Sequence, residues 1–588
     1  MRELTAILVR HRPTGGRPDQ ADDEASALHA PDPTAPPEII LSETLGGTAT
    51  SNDPAFTGGT LWGMYGDTGT PANAYGSQAA EAWATGATGA TSVVIGVVDT
   101  GIDYAHVDLY LNIWLNRAEI PSAFRSALVD TNGDALITFW DLNQVANAAY
   151  VTDVNGNGRI DGADLLGDVR WENGADDDSN GFMDDLIGWD FVNNDNDPFD
   201  DNSHGTHVAG TIGALGGNAT GVAGVAWSVQ MLAVKSFNAN AGGSTALASL
   251  GIDYVTAASF GAVGQRFAAI NMSFGRSTGS IALTASVENA AIAGILSVAA
   301  AGNNARDIDI ASFNPAVIDT TAAAGYDAVI SVAALDSNGA LSSFSNFGAI
   351  GVDLGAPGGA IHSTLPGDAY GDENGTSMAA PHVSGAIALY VAENPTATAQ
   401  QIRAAVLGSA VATASLAGKT ATGGRLDVAA MLADFSVPCF AAGTGILARR
   451  GEVAVEALVP GEEVVVLRSG GLARIAWIGR RTVACHAMAH PADAWPLRVR
   501  ADAFGRGQPH TDLFLSPDHA VHADGVLVPI RYLENGSTVA RIPVDSVTYF
   551  HSSWRATTCW WPRGWPPNPT STPATAPISP TKAMPRRI

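Results

Sequence analysis

The sequence predicts an α/β protein built on a doubly wound, mostly parallel sheet and followed by a smaller all-β domain. Up to about residue 436, short apolar runs rich in β-branched residues alternate with helical segments made of small residues, as in buried parallel sheets. From residue 437 onward, short segments of alternating polarity are separated by glycine-rich turns. A chain of 588 residues, 46% of them hydrophobic, can form two or three domains with large cores.

The overall composition limits the possible partners. The formal net charge of −27 argues against nucleic acid or an anionic membrane and fits a soluble protein that binds cations. With only three cysteines, we expect no disulfide framework. We take a monomer as the default state.

The N-terminal segment, residues 1–51, shows no pattern of a folded domain. Its apolar run, Thr5–Val9, is too short for a signal peptide and far too short for a membrane span. Gly, Pro, Asp and Ala then dominate, as in a linker. We therefore expect a disordered or truncated segment: either the start is incomplete, or export does not use an N-terminal signal.

A buried strand and a helix start supply two candidate catalytic side chains. Residues 92–98 form a short β-branched run that ends at Asp99, and strand ends commonly carry function. Residues 202–210 open a small-residue helix with His204 at its start. A carboxylate beside a histidine fixes the tautomer of the imidazole, which can then act as a base.

A serine lies at the start of another helix. Gly375 allows a tight turn, and residues 378–393 read as a helix that ends before Asn394. Ser377 therefore lies where free backbone N–H groups and the helix dipole would stabilise an oxyanion. Taken alone, the segment could equally be a buried small-residue helix with an incidental serine. A serine nucleophile needs a base and a carboxylate, however, and the chain carries all three in the order Asp, His, Ser.

On these motifs, residues 52–436 resemble the subtilisin-like serine proteases. The resemblance implies four catalytic roles: an orienting carboxylate, a general base and acid, a nucleophile and a side-chain donor to the oxyanion, at Asp99, His204, Ser377 and Asn303 respectively. It also implies an extracellular or secreted protein that acts on protein or peptide substrates.

The rest of this part alternates strands and helices. We predict strands at 232–235, 295–300 and 328–334, a strand running into a loop at 268–275, helices at 247–258 and 285–294, and a helix from Thr398 with a Thr-x-x-Gln capping box. The resemblance implies that one edge pairs with the substrate backbone, and its residues are Ser273, Phe274 and Gly275.

An acidic insertion, at about residues 104–198, separates the first two catalytic motifs. Between Asp130 and Asp201 there are 18 acidic residues against two arginines, a local balance of 2 − 18 = −16. Such a density of like charge repels itself unless cations neutralise it.

Three segments of this insertion have the spacing of calcium loops, which makes calcium the expected cofactor. The best match has oxygen-bearing residues at positions 1, 3, 5, 7, 9 and 12: Asp153, Asn155, Asn157, Arg159 (through its carbonyl), Asp161 and Asp164. A weaker repeat, with alanine in place of the loop glycine, includes Asp130, Asn132, Asp134 and Asp141. A third resembles a metal loop of long subtilases and includes Asp176, Asp178, Asn180 and Asp184. Solvated Asp/Asn/Gly turns are the alternative for all three.

Residues 437–550 resemble a Hint (Hedgehog/intein) domain. The resemblance implies that Cys439 attacks the preceding carbonyl to give a thioester, and that His519, in a Ser516-Pro-Asp-His element, assists at the scissile amide. The sequence has no His-Asn pair followed by Cys, Ser or Thr at its end, so we do not expect splicing of the kind that inteins perform. The alternative is a buried cysteine in an all-β module.

The tail, residues 551–588, changes composition abruptly to Trp, Pro and Thr without any strand or helix period. Back-translating the tail with GC-rich codons and shifting the reading frame by one base permits a sequence typical of globular proteins. We therefore interpret the tail as a disordered segment that is read in the wrong frame. A natural Pro-rich tail is the alternative.

Two functions remain open from the sequence. The first is a calcium-stabilised serine endopeptidase with a self-processing C-terminal module. The second is a catalytically idle calcium-binding surface protein that uses the same scaffold. The intact set of four catalytic residue types favours the enzyme.

Overall fold

The computed structural model describes residues 49–432 and 440–553, apart from 460, 466–471, 476, 484, 486–491, 493–494, 506–508, 510, 518 and 524–525. The predictions for residues 1–48, Cys439 and residues 554–588 lie outside this part. Among the helices that it contains, none has both the length and the apolar character needed to cross a bilayer.

Strands and helices alternate up to residue 432. The strands are β1 Gly89–Asp99, β2 Gly188–Asp190, β3 Ser228–Lys235, β4 Arg266–Met272, β5 Leu296–Ala300, β6 Val329–Leu335, β7 Leu354–Pro357, β8 Ile361–Leu365, β9 Ala369–Glu373, β10 Val411–Ala412 and β11 Gly424–Arg425. The helices are α1 Pro54–Thr57, α2 Ala79–Trp83, α3 Phe139–Leu142, α4 Gly162–Gly167, α5 His204–Gly213, α6 Thr245–Gly261, α7 Ile281–Ile292, α8 Thr321–Ala324, α9 Thr376–Glu393, α10 Ala399–Gly408 and α11 Val428–Leu432.

One nine-stranded sheet organises this part, in the order β10-β11-β7-β6-β5-β4-β1-β3-β2. All its pairings are parallel except β10 with β11. The predicted α/β class is therefore confirmed. After β1 the chain forms β2 and β3 on one side of it and then β4 on the other side, so the strand order reverses at β1. Crevices at the carboxyl ends of strands beside such a reversal are the usual binding places of open α/β sheets.

Helix α9 lies in the core, as its small residues predict. It packs against β1, β4, β5, β6 and α5, and 15 of its 18 residues are buried. It starts two residues earlier than predicted, so Ser377 is its second residue. The capping box of α10 is present, with Thr398 and Gln401 satisfying each other's backbone N–H groups.

The part from residue 440 to 553 consists of antiparallel strands. They are β12 Phe440–Ala441, β13 Gly445–Ala448, β14 Gly451–Ala454, β15 Glu463–Val465, β16 Leu472–Arg474, β17 Trp477–Val483, β18 Leu497–Val499, β19 Leu513–Leu515, β20 Ala520–Ala523, β21 Val526–Pro529, β22 Val539–Arg541 and β23 Val547–Ser553. They form a six-stranded, a four-stranded and a two-stranded sheet around a hydrophobic cluster of their own, which confirms the predicted all-β domain.

Two details of this all-β part differ from the sequence prediction. The alternating polarity of residues 453–458 predicts one strand there, but only the first two of these residues belong to a strand, β14, and Val455–Ala457 form a turn of 3₁₀ helix. Strand β23 runs to Ser553 and pairs with β17, so regular structure extends three residues past the predicted domain end at 550.

Candidate active site

The end of β1 and the start of α5 bring Asp99 and His204 together. Nδ1 of His204 donates to Oδ1 of Asp99 at 2.7 Å, and the backbone N–H of Thr100 donates to the same oxygen at 2.8 Å. Gly205 permits this approach, because a Cβ there would lie 2.0 Å from the carbonyl oxygen of Gly101. The contact leaves Nε2 as the imidazole atom that can accept a proton.

The charge around His204 favours its protonated form. Burial alone would lower the pKa of His204, but the negative charge and hydrogen bond of Asp99, with smaller contributions from Glu373 and Asp200, raise it to about 9. His207, one turn further along α5, has the opposite environment. Burial, together with the charge of His204, lowers its pKa to about 4, and its Nε2 lies 2.8 Å from the carbonyl oxygen of Ile361.

Ser377 and the edge after β4 are joined by two hydrogen bonds. The hydroxyl of Ser377 donates to the carbonyl of Ser273 at 3.0 Å, and the hydroxyl of Ser273 donates to the carbonyl of Ser377 at 2.8 Å. The nucleophile candidate is therefore fixed against the predicted substrate edge.

Asn303 is oriented by the residue before Ser377. Its Oδ1 accepts hydrogen bonds from the backbone N–H and the hydroxyl of Thr376, both at 2.9 Å. With Oδ1 occupied in this way, the NH₂ group is the end of the amide that can donate to a ligand.

All seven residues that the sequence predicts for catalysis and substrate pairing line one cleft of about 670 Å³: Asp99, His204, Ser273, Phe274, Gly275, Asn303 and Ser377. An acid, a base, a hydroxyl and an amide donor around one cavity form the set that acyl transfer requires.

The sequence reasoning missed two acidic residues beside this cleft. The buried carboxylate of Asp200 accepts hydrogen bonds from the hydroxyl of Thr100, at 2.8 Å, and from the backbone N–H of Thr206, also at 2.8 Å. It therefore ties the end of β1 to the first turn of α5. Glu373 accepts a hydrogen bond from Ser203 at 3.3 Å and raises the pKa of His204. Asp200 could have been found from its position just before the helix start. Nothing in the sequence around Glu373 indicates that it lies near His204.

The predicted calcium loops are closed by their own backbone. Asp153 accepts N–H groups from Gly156, at 2.7 Å, and Gly158, at 2.9 Å. The corresponding carboxylates of the other two loops, Asp130 and Asp176, do the same. Such turns form with or without a metal, so the ligand assignments in these loops stay predictions.

Within the described ranges, one group of acidic side chains is close enough to share an ion. Ligand atoms of Glu119, Asp178 and Asp185 all lie within 4.8 Å of one another. Asp178 and Asp185 both lie in the third predicted loop, which runs from Asp176 to Asp185, but Asp185 was not predicted as a ligand and Glu119 was missed. Asp184, which was predicted as a ligand, instead accepts N–H groups from Asn173 and Gly174.

The C-terminal candidates Ser516 and His519 are both largely buried. The ring of His519 lies against that of Phe440, with centroids 4.3 Å apart. Phe440 directly follows Cys439, so the histidine contacts the neighbour of the predicted thiol nucleophile.

Comparisons with known proteins identify the families that the two parts of the chain match. Residues 90–429 match the subtilase family, Peptidase_S8, and residues 438–557 match a Hint domain. Subtilisin DY of Bacillus licheniformis is 42% identical over 213 residues, which are 36% of this chain and 72% of that protein. Subtilisin E of Bacillus subtilis strain 168 is 42% identical over 218 residues, which are 36% of this chain and 52% of that protein.

The solved structure of a cold-adapted subtilisin-like serine proteinase is 27% identical, with a TM-score of 0.37, over 57% of this chain and 89% of that one. The matched family covers more than half of the sequence, from β1 to α11. The chain belongs to the subtilase family and is a subtilisin-like serine endopeptidase that carries a C-terminal Hint domain.

Proposed function

We propose that the chain hydrolyses peptide bonds through an acyl-enzyme formed on Ser377. His204 takes the hydroxyl proton at Nε2 as the oxygen attacks the substrate carbonyl, and Asp99 stabilises the resulting imidazolium. The oxyanion is held by the NH₂ group of Asn303 and by N–H groups at the start of α9. His204 then returns the proton to the leaving amine, and water repeats the sequence to release the acid. The hydrogen bond of 2.7 Å between His204 and Asp99, in the same cleft as Ser377, carries the proposal.

Labelling with a fluorophosphonate tests this proposal directly. The reagent should attach to wild-type protein and fail to attach to Ser377→Ala and His204→Ala, while a heat-denatured sample stays unlabelled. Folded wild-type protein that does not react would favour the catalytically idle calcium-binding scaffold.

The substrate is proposed to bind as an added strand along Ser273, Phe274 and Gly275. These residues follow β4 and line the cleft, and the hydroxyl of Ser273 donates to the carbonyl of Ser377. Main-chain hydrogen bonds along such an edge would give affinity, and the cavities on either side would give specificity.

Calcium is proposed to bind at the group formed by Glu119, Asp178 and Asp185, the site that we call the three-acid site. Burial raises the pKa of Asp185 to about 7 and also raises that of Glu119, so packing the anions together costs stability. Asn116 Nδ2 donates to both Asp178, at 3.0 Å, and Asp185, at 2.8 Å, which partly offsets that cost. Calcium prefers oxygen ligands, such as those of carboxylates and amides.

The Hint domain is proposed to cleave the bond between Pro438 and Cys439. The cysteine thiolate would attack the preceding carbonyl and form a thioester, while His519 would donate a proton to the leaving amide nitrogen. A second nucleophile, here the added thiol, would then attack the thioester, release the Cys439 thiol and separate the two fragments. The contact of His519 with Phe440 supports this role. In a Ser377→Ala background, thiol should speed the cleavage and Cys439→Ala should stop it, as seen by intact mass. A break that persists in the double variant would contradict it.

We further propose that residues 52–436 form the peptidase domain, that residues 437–550 form the body of the Hint domain, and that the protein acts outside the cell. The family matches at 90–429 and 438–557 support the division near residue 437. Limited proteolysis of the Ser377→Ala protein, followed by mass determination, should release fragments that end near this point.

A further inference from the structure

A second cavity, of about 310 Å³, lies beside the candidate active-site cleft. The two cavities have four wall residues in common: Gly275, Arg276, Asn304 and Phe313. The second cavity is thus reached from the end of the cleft that holds Asn303. Its lining is polar and cationic and includes Arg276, Ser277, Asn304, Arg306, Ser312 and Asn346.

The two arginines of this cavity lack a carboxylate partner in the described part of the protein. The arginines that lie within 4.0 Å of an acid there are all other residues of the chain. Neither Arg276 nor Arg306 is among them. Arg117 and Arg266 also lack an acid partner there, but they bond to backbone carbonyls, whereas Arg276 and Arg306 line one cavity together. They make this end of the cleft attractive to an anion.

The backbone that carries both arginines is well fixed. Arg276 forms two reciprocal hydrogen bonds with Asn314, at 2.9 and 2.8 Å. The buried Asn346 accepts N–H groups from Asn304, at 3.1 Å, and Arg306, at 3.0 Å. The two guanidinium groups therefore extend from rigid positions, which lowers the cost of ordering them around a ligand.

The ring of Phe313 restricts the same end of the cleft. A Cβ on Gly275 would lie 2.2 Å from this ring, and one on Gly302 would lie 2.8 Å from it. The ring thus lies directly against both glycines, next to Asn303. It occupies space that a large apolar substrate side chain would need, whereas the cavity with the arginines stays open.

We propose that Arg276 and Arg306 bind an acidic side chain of the substrate, on the residue that supplies the attacked carbonyl. The inference rests on the proposed function, in which the oxygen of that carbonyl lies at Asn303. The side chain of the same residue then enters the end of the cleft that continues into the cavity lined by Arg276 and Arg306. A carboxylate supplies the missing counter-charge, and guanidinium groups bind carboxylates through paired N–H donors.

Matched fluorogenic peptides test the proposal. They carry Glu, Gln, Ala or Lys before the scissile bond and are otherwise identical, and a second set places Glu one or two positions earlier. We expect kcat/KM for the Glu peptide to exceed that for the Gln peptide about tenfold, as expected for a charge-assisted hydrogen bond. The ratio should fall as NaCl screens the charges.

Variants separate charge from shape. The Glu-to-Gln ratio should fall toward one in Arg276→Gln and Arg306→Gln, and Arg306→Glu should favour the Lys peptide. Arg266→Gln, which removes an arginine at the opposite end of β4 from Ser273, should leave the ratio unchanged.

Three outcomes would overturn the proposal: equal turnover of Glu and Gln peptides by wild-type protein, a preference for Glu only at an earlier position, or a ratio that survives in Arg276→Gln/Arg306→Gln. A failure of the proposed function would look different, because no peptide would then be cleaved in a manner that depends on Ser377.

Discussion

Short sequence motifs predict both the residues of the active-site cleft and the calcium ligands of the acidic insertion. In the structure, the two sets of predicted residues come together to different extents. All seven residues predicted for the cleft line one cavity. In the insertion, the acids that come together are the predicted ligand Asp178, its loop neighbour Asp185, which was not predicted as a ligand, and Glu119, which no motif indicated. A site formed where strands end and helices begin is specified by local sequence. A site formed where distant loops approach each other depends on the tertiary fold.

The largest expected effect is on the cleft. Ser377→Ala should lower kcat about 10⁶-fold, the loss that follows removal of one triad member in subtilisin. The measurement is peptide hydrolysis by freshly purified variant with the melting temperature as a control for folding. Residual turnover above a few per cent would mean that another group is the nucleophile.

Asn303→Ala should lower kcat by about 10² to 10³-fold, because an oxyanion donor acts mainly in the transition state. KM should change little. Asn303→Asp is the matched comparison, since it keeps the Oδ1 acceptor for Thr376 and loses the NH₂ donor. If Asn303→Asp kept full activity, the amide would not be the donor.

Removing calcium should destabilise the protein and distinguish the predicted loops from the three-acid site. A ligand at a hundredfold excess over its Kd stabilises the folded state by ~2.7 kcal/mol, so EDTA should lower the Tm of the Ser377→Ala protein. Asp185→Asn should abolish most of this response. Asp153→Asn, in the best sequence match, should keep it. The reverse result would mean that the loop spacing was the better guide.

The smallest expected effect concerns the pH dependence. His204 must be neutral to accept a proton, and Asp99 raises its pKa to about 9, so kcat/KM should rise with pH through the alkaline range. Glu373→Gln removes a negative charge that favours the imidazolium. The pKa should therefore fall, and the profile should move to lower pH by less than about one unit. A shift to higher pH would contradict the position of Glu373.

How far the sequence could predict each region follows from how the contacts are made. Asp99, His204 and Ser377 each lie at an element boundary that a β-branched run or a helix start marks in the sequence, and the resemblance to subtilisin-like proteases then implies their roles. Asp200 could have been found from its place before α5. Glu119 lies 59 residues before Asp178, and only folding shows that they meet. Arg276 and Arg306 belong to no motif, and their significance comes from the cavity that they share.

The burial of α9 has a consequence for how activity arises during folding. This helix carries Ser377 and packs against β1, which ends at Asp99, although the two are separated by more than half of the peptidase part of the chain. Contacts between such distant segments form late, because closing long loops costs chain entropy before it is repaid. A partly folded chain therefore has no assembled nucleophile. We therefore expect hydrolytic competence to appear only when the sheet is complete, which would delay self-digestion until the protein is compact enough to resist it.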